Sequence, residues 1–381
     1  MSVTAAKGFQ ASGAAAGIKA SGVADMALIA AQRPVPAVGV FTASLTAAPP
    51  VLLSRRRVAS GRARAIIVNS GCANAGTGPQ GRKAAEEVST WIAEALACDT
   101  EDVLVCSTGP IGTALPLPAM ESAVPELVAG LSTDGSEAAA RAIMTTDSVP
   151  KSSVQSRGGV TVGGIAKGAG MLRPDMATML AFITTDALVD EALASAALRS
   201  AVDASFNCLN VDGCQSTNDT VLMLASGESG VPIDPEEFTE MVRLVCADLA
   251  AQMAADAEGA SKVVRLEVSG ASSRRDAVTL GKAVADSALV RSSFFGADSN
   301  WGRVLAALGV AGVPVDPAAL SIAYEGVTVC AGGVGVSFDE DGLQLEGDFT
   351  VSISVGDGPG RATVITTDLT PDYVRFNGER S

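Results

Sequence analysis

Short apolar runs alternate along the chain with longer stretches in which apolar positions recur at helical spacing. Residues 64–69, 102–106, 160–167, 179–183, 221–225 and 263–268 read as buried strands, most of them bounded by glycine or polar turn residues. Val88, Trp91, Ile92 and Ala95 form an apolar stripe, with Lys83, Glu86, Glu87 and Glu94 outside it. Residues 136–144 also pattern as a helix. A further helix starts near Asp190, with Leu193, Ala197 and Ala201 on one stripe. Asp234-Pro235-Glu236-Glu237 is a strong helix start, with Asp at the cap, Pro at the first turn and Glu three residues on. Residues 275–290 predict one continuous helix, and Asn300 opens another. The first sixty residues predict only scattered short strands. Residues 349–355 alternate with period two, and after a glycine-rich turn 362–368 predict the returning strand of a hairpin. Strands mixed with helices and a hairpin predict mixed α/β layers, not a purely parallel doubly wound sheet.

Composition narrows the function. Hydrophobic residues are 48% of the chain and aromatics only 4%, so Ala, Val, Leu and Ile must build the core. A formal net charge of −15 argues against nonspecific nucleic-acid binding, which needs clustered cations. Seven cysteines, odd in number and irregularly spaced, form no C-x-x-C pair. They read as small buried hydrophobes in a reducing compartment, and no metal site is expected. No apolar run reaches the roughly 18–20 residues of a membrane span. The N-terminal residues lack a basic region followed by an apolar one, so the expected location is cytoplasmic.

The candidate chemistry lies near the middle of the chain. Lys167-Gly168-Ala169-Gly170-Met171 leads past Pro174 into Ala177-Thr178, at the mouth of the apolar run 179–183. A small residue followed by threonine at such a point can be a self-cleavage site. Cutting between Ala177 and Thr178 would create a terminus carrying a hydroxyl nucleophile and a free amine. The chain has no histidine, which excludes Ser-His and Cys-His arrangements. A lysine or the threonine's own α-amine remains as the activating base. That amine titrates near roughly 7.7–8.0, well matched to general-base work. On these residues alone, Thr178 reads more readily as an ordinary β-branched strand residue than as a nucleophile. Thr108-Gly109 ends a predicted strand, where a backbone N–H and a hydroxyl could face an oxyanion, or simply form a turn. Residues 70–81 make a glycine-rich loop without a phosphate-binding pattern.

The stretch Lys167 to Leu180 resembles the ornithine acetyltransferase family. So do Thr4-Ala5-Ala6-Lys7-Gly8-Phe9, Val68-Asn69-Ser70-Gly71, Asn74-Ala75 and Ser107-Thr108-Gly109. The likeness continues through Ile143-Met144-Thr145-Thr146-Asp147, Ser216-Thr217-Asn218-Asp219-Thr220, Glu258-Gly259-Ala260, Gly296-Ala297-Asp298 and Asn300-Trp301-Gly302-Arg303. The resemblance implies a mixed-sheet α-β-β-α layered sandwich core with a smaller C-terminal α/β domain. It implies self-cleavage into residues 1–177 and 178–381, assembled as α2β2. It also implies acetyl transfer from N2-acetylornithine to glutamate through acetyl-Thr178, in arginine biosynthesis. Thr108 and Gly109 match the oxyanion pair. Thr145, Lys167, Thr178, Glu258, Asn377 and Ser381 match substrate contacts. No cofactor is implied, and the sequence leaves open whether acetyl-CoA also donates acetyl. Cys72, Gly76 and Asp175 depart from the family pattern. So does the tail, one residue short and without its tyrosine. Two alternatives stay open: an autoprocessing aminopeptidase-like hydrolase, and an uncleaved binding or assembly relative.

Overall fold

A computed structural model describes residues 2–173, 179–339 and 342–379. The chain divides into two compact units that interleave along the sequence. The first comprises 1–168, 174–207 and 215–253, and the second 169–173, 208–214 and 254–381.

The elements in chain order begin with β1 (Phe9–Ala14), β2 (Met26–Phe41), α1 (Pro49–Val58), β3 (Arg62–Ser70), α2 (Gly78–Leu96) and β4 (Val103–Thr108). Then come α3 (Leu117–Ala129), α4 (Ser136–Ala142), β5 (Lys151–Arg157), β6 (Val160–Lys167), β7 (Leu180–Thr185), α5 (Glu191–Ala204), β8 (Leu209–Asn210), β9 (Thr220–Ala225) and α6 (Pro235–Ala255). All but β8 belong to the first unit, α6 up to Met253.

The long strand β2 generates the layering. Its first half pairs with β1 and β3, the ladder shifts between Ala30 and Val35, and Ala37 to Phe41 pair with β9. Pro34 and Pro36 lie at this interruption, where a missing N–H costs least. One strand thus feeds two sheet halves: β4-β3-β2 with β1, and β2-β9-β7-β6-β5. Alternate residues then serve alternate cores. Ile29, Ile66, Val68 and Leu104 of the first half meet Ile165, Phe182, Leu222 and Leu224 of the second. Leu28, Ile67, Val103 and Val105 point the other way, onto Val88 and Ile92 of α2 and Met120, Val124 and Leu127 of α3. Behind the second half, Gly164 leaves room for Val245 and Leu249 of α6, and α5 rests on β2 and β9. The result is helix, sheet, sheet, helix, the layering that the family resemblance implies; the apolar pattern alone predicts only mixed α/β layers. Strands with a core on both faces are apolar throughout, which is why they read as unbroken runs.

The second unit adds β10 (Val263–Gly270), α7 (Arg274–Asp286), α8 (Ala288–Phe295), α9 (Trp301–Gly309), β11 (Ser321–Tyr324), β12 (Val327–Ala331), β13 (Val334–Gly335), β14 (Phe349–Ser354), β15 (Gly358–Thr367) and α10 (Pro371–Gly378). Its mixed sheet has the order β13-β12-β11-β14-β10-β15-β8. Leu266, Val351, Ile353 and Val364 pack against Leu280, Val284, Phe294 and Leu308 of α7, α8 and α9.

Several expectations are corrected. The strands at 349–355 and 362–368 do not form a hairpin. β10 lies between them, parallel to β14 and antiparallel to β15. The connecting loop crosses the end of β10, where Val355 donates to Ser269 and a Cβ on Gly270 would lie 1.9 Å from the Gly356 carbonyl oxygen. The helix expected over 275–290 breaks at Ser287, whose hydroxyl caps α8 at the Val290 N–H. Apolar spacing continues across the break, so periodicity hides it. The first sixty residues hold one 16-residue strand and the helix α1, started by Pro49 and Pro50. Gly78, expected in a loop, begins α2. Asp190, Asp234 and Asn300 cap α5, α6 and α9 as anticipated. Of the seven cysteines, none is in a disulfide and five are buried, but Cys214 is exposed. Among the described residues, no helix is long and apolar enough to cross a membrane.

Candidate active site

The oxyanion candidates sit where β4 ends beside β3. Gly109 has φ +138°, and a Cβ there would stand 2.4 Å from the Cys72 nitrogen and 2.6 Å from the Gly71 carbonyl carbon. Glycine is therefore required by both conformation and space. The turn is braced on several sides. The Cys72 N–H donates to the Thr108 carbonyl (3.1 Å), and Asn69 Nδ2 donates to the Cys72 carbonyl (2.8 Å). Ser107 Oγ donates to Asn69 Oδ1 (2.6 Å). Asn218 Nδ2 donates to the carbonyls of Ala73 (2.6 Å) and Ser107 (2.9 Å). Asn218 thus gives the Ser-Thr-Asn-Asp-Thr motif a structural task, holding the 72–75 loop to the strand end that carries Thr108.

Lys167 closes β6 and reaches this turn, with Nζ donating to Thr108 Oγ1 at 3.3 Å. Its strand partner across the sheet is Leu180, two residues beyond Thr178. Behind it lies Asp147, buried with Lys151. Lys151 Nζ (2.7 Å) and the Gly168 N–H (2.6 Å) donate to Asp147 Oδ1. The Thr145 N–H donates to Oδ2 (3.0 Å), and Lys167 Nζ stands 4.0 Å from it. Burial alone would push the Asp147 carboxyl up, but the Lys167 and Lys151 ammonium groups and the hydrogen bonds hold it down at about 2. Its folded pKa lies below the ordinary value of 3.8, so the ion form stabilises the fold. The stabilisation, about 2 kcal/mol, is fully present above pH ~4 and is lost as pH falls through ~2. Urea titrations from pH 5 to pH 2 should show wild type losing about 2 kcal/mol more than Asp147→Asn. Parallel curves would mean that the carboxyl titrates normally.

Asp219 is the second buried acid that sequence reasoning passed over. It accepts from the backbone N–H of Met179, the residue after Thr178, while the Met179 carbonyl accepts from Thr220 N–H (3.0 Å). Burial pushes the Asp219 carboxyl well up, and its Oδ2 has no hydrogen-bond partner among the described residues. The available signal was an acidic residue abutting an apolar strand, which costs too much to bury without a reason.

Glu258 belongs to the second unit, three residues beyond α6. Its N–H donates to the Ala169 carbonyl (2.8 Å), and a Cβ on Gly170 would lie 2.3 Å from its Oε2. Gly170 is therefore dictated by the carboxylate over it, whereas Gly168, at φ +151°, is dictated by backbone conformation. Asn377 lies exposed on α10, its Nδ2 donating to the Tyr373 carbonyl (3.1 Å). Ala177, Thr178 and Ser381 lie outside the described residues. A broad groove in the first unit, lined by the end of β2, α1 and α5, contains none of these residues. No cluster of three or more potential metal ligands occurs among the described residues.

Known proteins give this geometry its context. Residues 10–381 match the sequence profile described as the ArgJ family. The chain is 46% identical, over the full length of both, to the arginine biosynthesis bifunctional protein ArgJ of Thermobifida fusca. A solved ArgJ from Bacillus halodurans is 34% identical, with TM-score 0.50, covering 53% of this chain and all of that one. A solved ornithine acetyltransferase from Mycobacterium tuberculosis, complexed with ornithine, is 41% identical, with TM-score 0.43, covering 47% of this chain and 95% of that one. The chain is an acyltransferase of arginine biosynthesis. It belongs to the ArgJ family.

Proposed function

We propose that this acyltransferase moves an acetyl group from N2-acetylornithine to glutamate, after cutting itself between Ala177 and Thr178. In maturation the Thr178 hydroxyl attacks the Ala177 carbonyl carbon. The amide C–N bond breaks, its nitrogen gains a proton, and an ester forms. Water then hydrolyses the ester, leaving an Ala177 carboxylate and a free Thr178 α-amine.

In turnover Thr178 attacks the acetyl carbonyl, and its hydroxyl proton passes to its own amine. The negative oxygen is met by the Thr108 hydroxyl and the Gly109 N–H. Collapse expels ornithine, whose amine takes the proton back. The neutral amine of glutamate attacks the acetyl ester, the bond from the acetyl carbon to the Thr178 oxygen breaks, and the proton lost by the glutamate nitrogen passes through the Thr178 amine to that oxygen as acetylglutamate leaves. The acetyl group stays covalently held throughout, so the scheme needs no carrier cofactor. Thr145, Lys167, Thr178, Glu258, Asn377 and Ser381 are assigned to substrate contact, and the mature protein to α2β2 assembly of chains 1–177 and 178–381.

The observation that carries this reading is the contact of Lys167 with Thr108. It brings the oxyanion candidate to the strand whose neighbour begins two residues after the nucleophile candidate. The solved relative spanning 53% of this chain has the size expected of a 178–381 subunit, which also supports the cut. The test is steady-state exchange. Acetylornithine plus glutamate should yield ornithine and acetylglutamate in equal amounts with ping-pong kinetics. Steady acetate release, at one rate with or without glutamate, would favour the aminopeptidase-like alternative. Acetylation of glutamate by acetyl-CoA in the same assay would add a second donor.

A further inference from the structure

We propose that Asp147 is a positioning residue for oxyanion stabilisation, holding Lys167 against Thr108 so that the Thr108 hydroxyl presents its proton to the reacting oxygen. The proposal rests on the reading of Thr108 as an oxyanion donor. A threonine hydroxyl has one proton and two lone pairs, so it can face a carbonyl oxygen usefully only if the proton points that way. An ammonium group has donors and no acceptor. At 3.3 Å from Thr108 Oγ1, Lys167 Nζ must therefore donate, occupying a lone pair and leaving the hydroxyl proton for another acceptor.

Lys167 is held from behind. Asp147 receives Lys151 Nζ and the N–H groups of Gly168 and Thr145, and it stands 4.0 Å from Lys167 Nζ. The Asp147 and Lys151 side chains are both fully buried, so neither charge is dissipated by water. Lys151 and Lys167 share the aspartate, which keeps a cation beside Thr108, where negative charge would develop. Lys19 also lies within electrostatic reach of both Asp147 and Lys167, and its own neighbour is Asp25. One carboxylate thus fixes the lysine, the peptide after it and the Thr145 turn.

The test is a double-mutant cycle between Asp147→Asn and Thr108→Ala. Acetyl exchange is measured per free Thr178 terminus, counted by intact mass, so that incomplete self-cleavage does not distort the rates. Asp147→Asn should lower kcat about tenfold or more and change KM less. In the Thr108→Ala background, the same substitution should change kcat no more than about twofold, because the group through which it acts is gone. Where Asp147→Asn alone does not fold, Asp147→Asn with Lys151→Met removes both buried charges and carries the same comparison, since replacing a whole buried pair is tolerated better than breaking it.

Multiplying effects would overturn the proposal. So would a loss larger than that of Thr108→Ala, including absence of cleavage where Thr108→Ala still cleaves. A raised KM with unchanged kcat would assign Asp147 to the Thr145 turn and equally overturn it. Wild-type protein without exchange activity would overturn the functional reading instead, and that control is read before any variant is compared.

Discussion

Thr178→Ala should give a single 381-residue chain with no acetyl exchange, where wild type gives two fragments, the second beginning at Thr178. The expected loss is complete within detection, because in the proposed scheme one side chain supplies the nucleophile for both maturation and turnover. With no histidine anywhere in the chain, no neighbouring Ser-His or Cys-His pair can take over. The two wild-type fragments should stay together under native conditions. β7 and β9 lie beyond the cut, yet β7 pairs with β6 along Val162 to Lys167, and β9 pairs with β2 along Ala37 to Phe41. Both strands are buried on both faces, so separating the fragments would open a sheet and its cores. They should elute as one species by size exclusion and resolve only in denaturant. Two fragments from Thr178→Ala would contradict self-cleavage by this residue.

Thr108→Ala is expected to have the second-largest effect. The side chain is removed while the turn survives, because the turn is held by the Thr108 carbonyl, Asn69, Ser107 and Asn218, not by the Thr108 hydroxyl. Losing one oxyanion donor should slow acetyl transfer about tenfold to a thousandfold, or about 1.4–4 kcal/mol in the barrier. KM should change less than kcat, since the donor matters most once the oxygen carries charge. Self-cleavage, which in the proposed scheme passes through the same kind of tetrahedral oxyanion, should slow as well. If only KM rises, Thr108 binds the ground state and the oxyanion assignment is wrong.

The strands of the sandwich were the most legible part of the sequence. Residues 65–68 and 103–106 lie between two cores, so every position is apolar and the run announces itself. Helix starts at Asp190, Asp234 and Asn300 were equally plain, because a cap side chain bonds locally. Pairing partners were not legible. The strand β10 inserts between β14 and β15 on the strength of side chains more than eighty residues away, which no local pattern records. Within the candidate site, Thr108, Gly109 and Lys167 are legible in the sequence. The groups that hold them are not, because Asp147, Lys151 and Asp219 are residue types that usually face water. Their burial follows from tertiary packing. Asp147 and Lys151 stand four residues apart but outside any helix, and it is the hydrogen bonds around Asp147 that tie them to Lys167.

The central claim is that acetyl passes through Thr178. It is tested most directly by mixing the cleaved enzyme with acetylornithine alone and measuring ornithine release and fragment mass together. The account predicts a burst of about one ornithine per active site, then near arrest, because no acceptor is present. Over the same interval the fragment beginning at Thr178 should gain the mass of one acetyl group, located on that residue by peptide mapping. Adding glutamate should remove the acetyl group and restart turnover. The burst should weaken as pH falls below ~7.7, since a protonated α-amine cannot accept the hydroxyl proton. Ornithine release that needs glutamate from the first turnover, with no acetylated fragment at any time, would contradict the account.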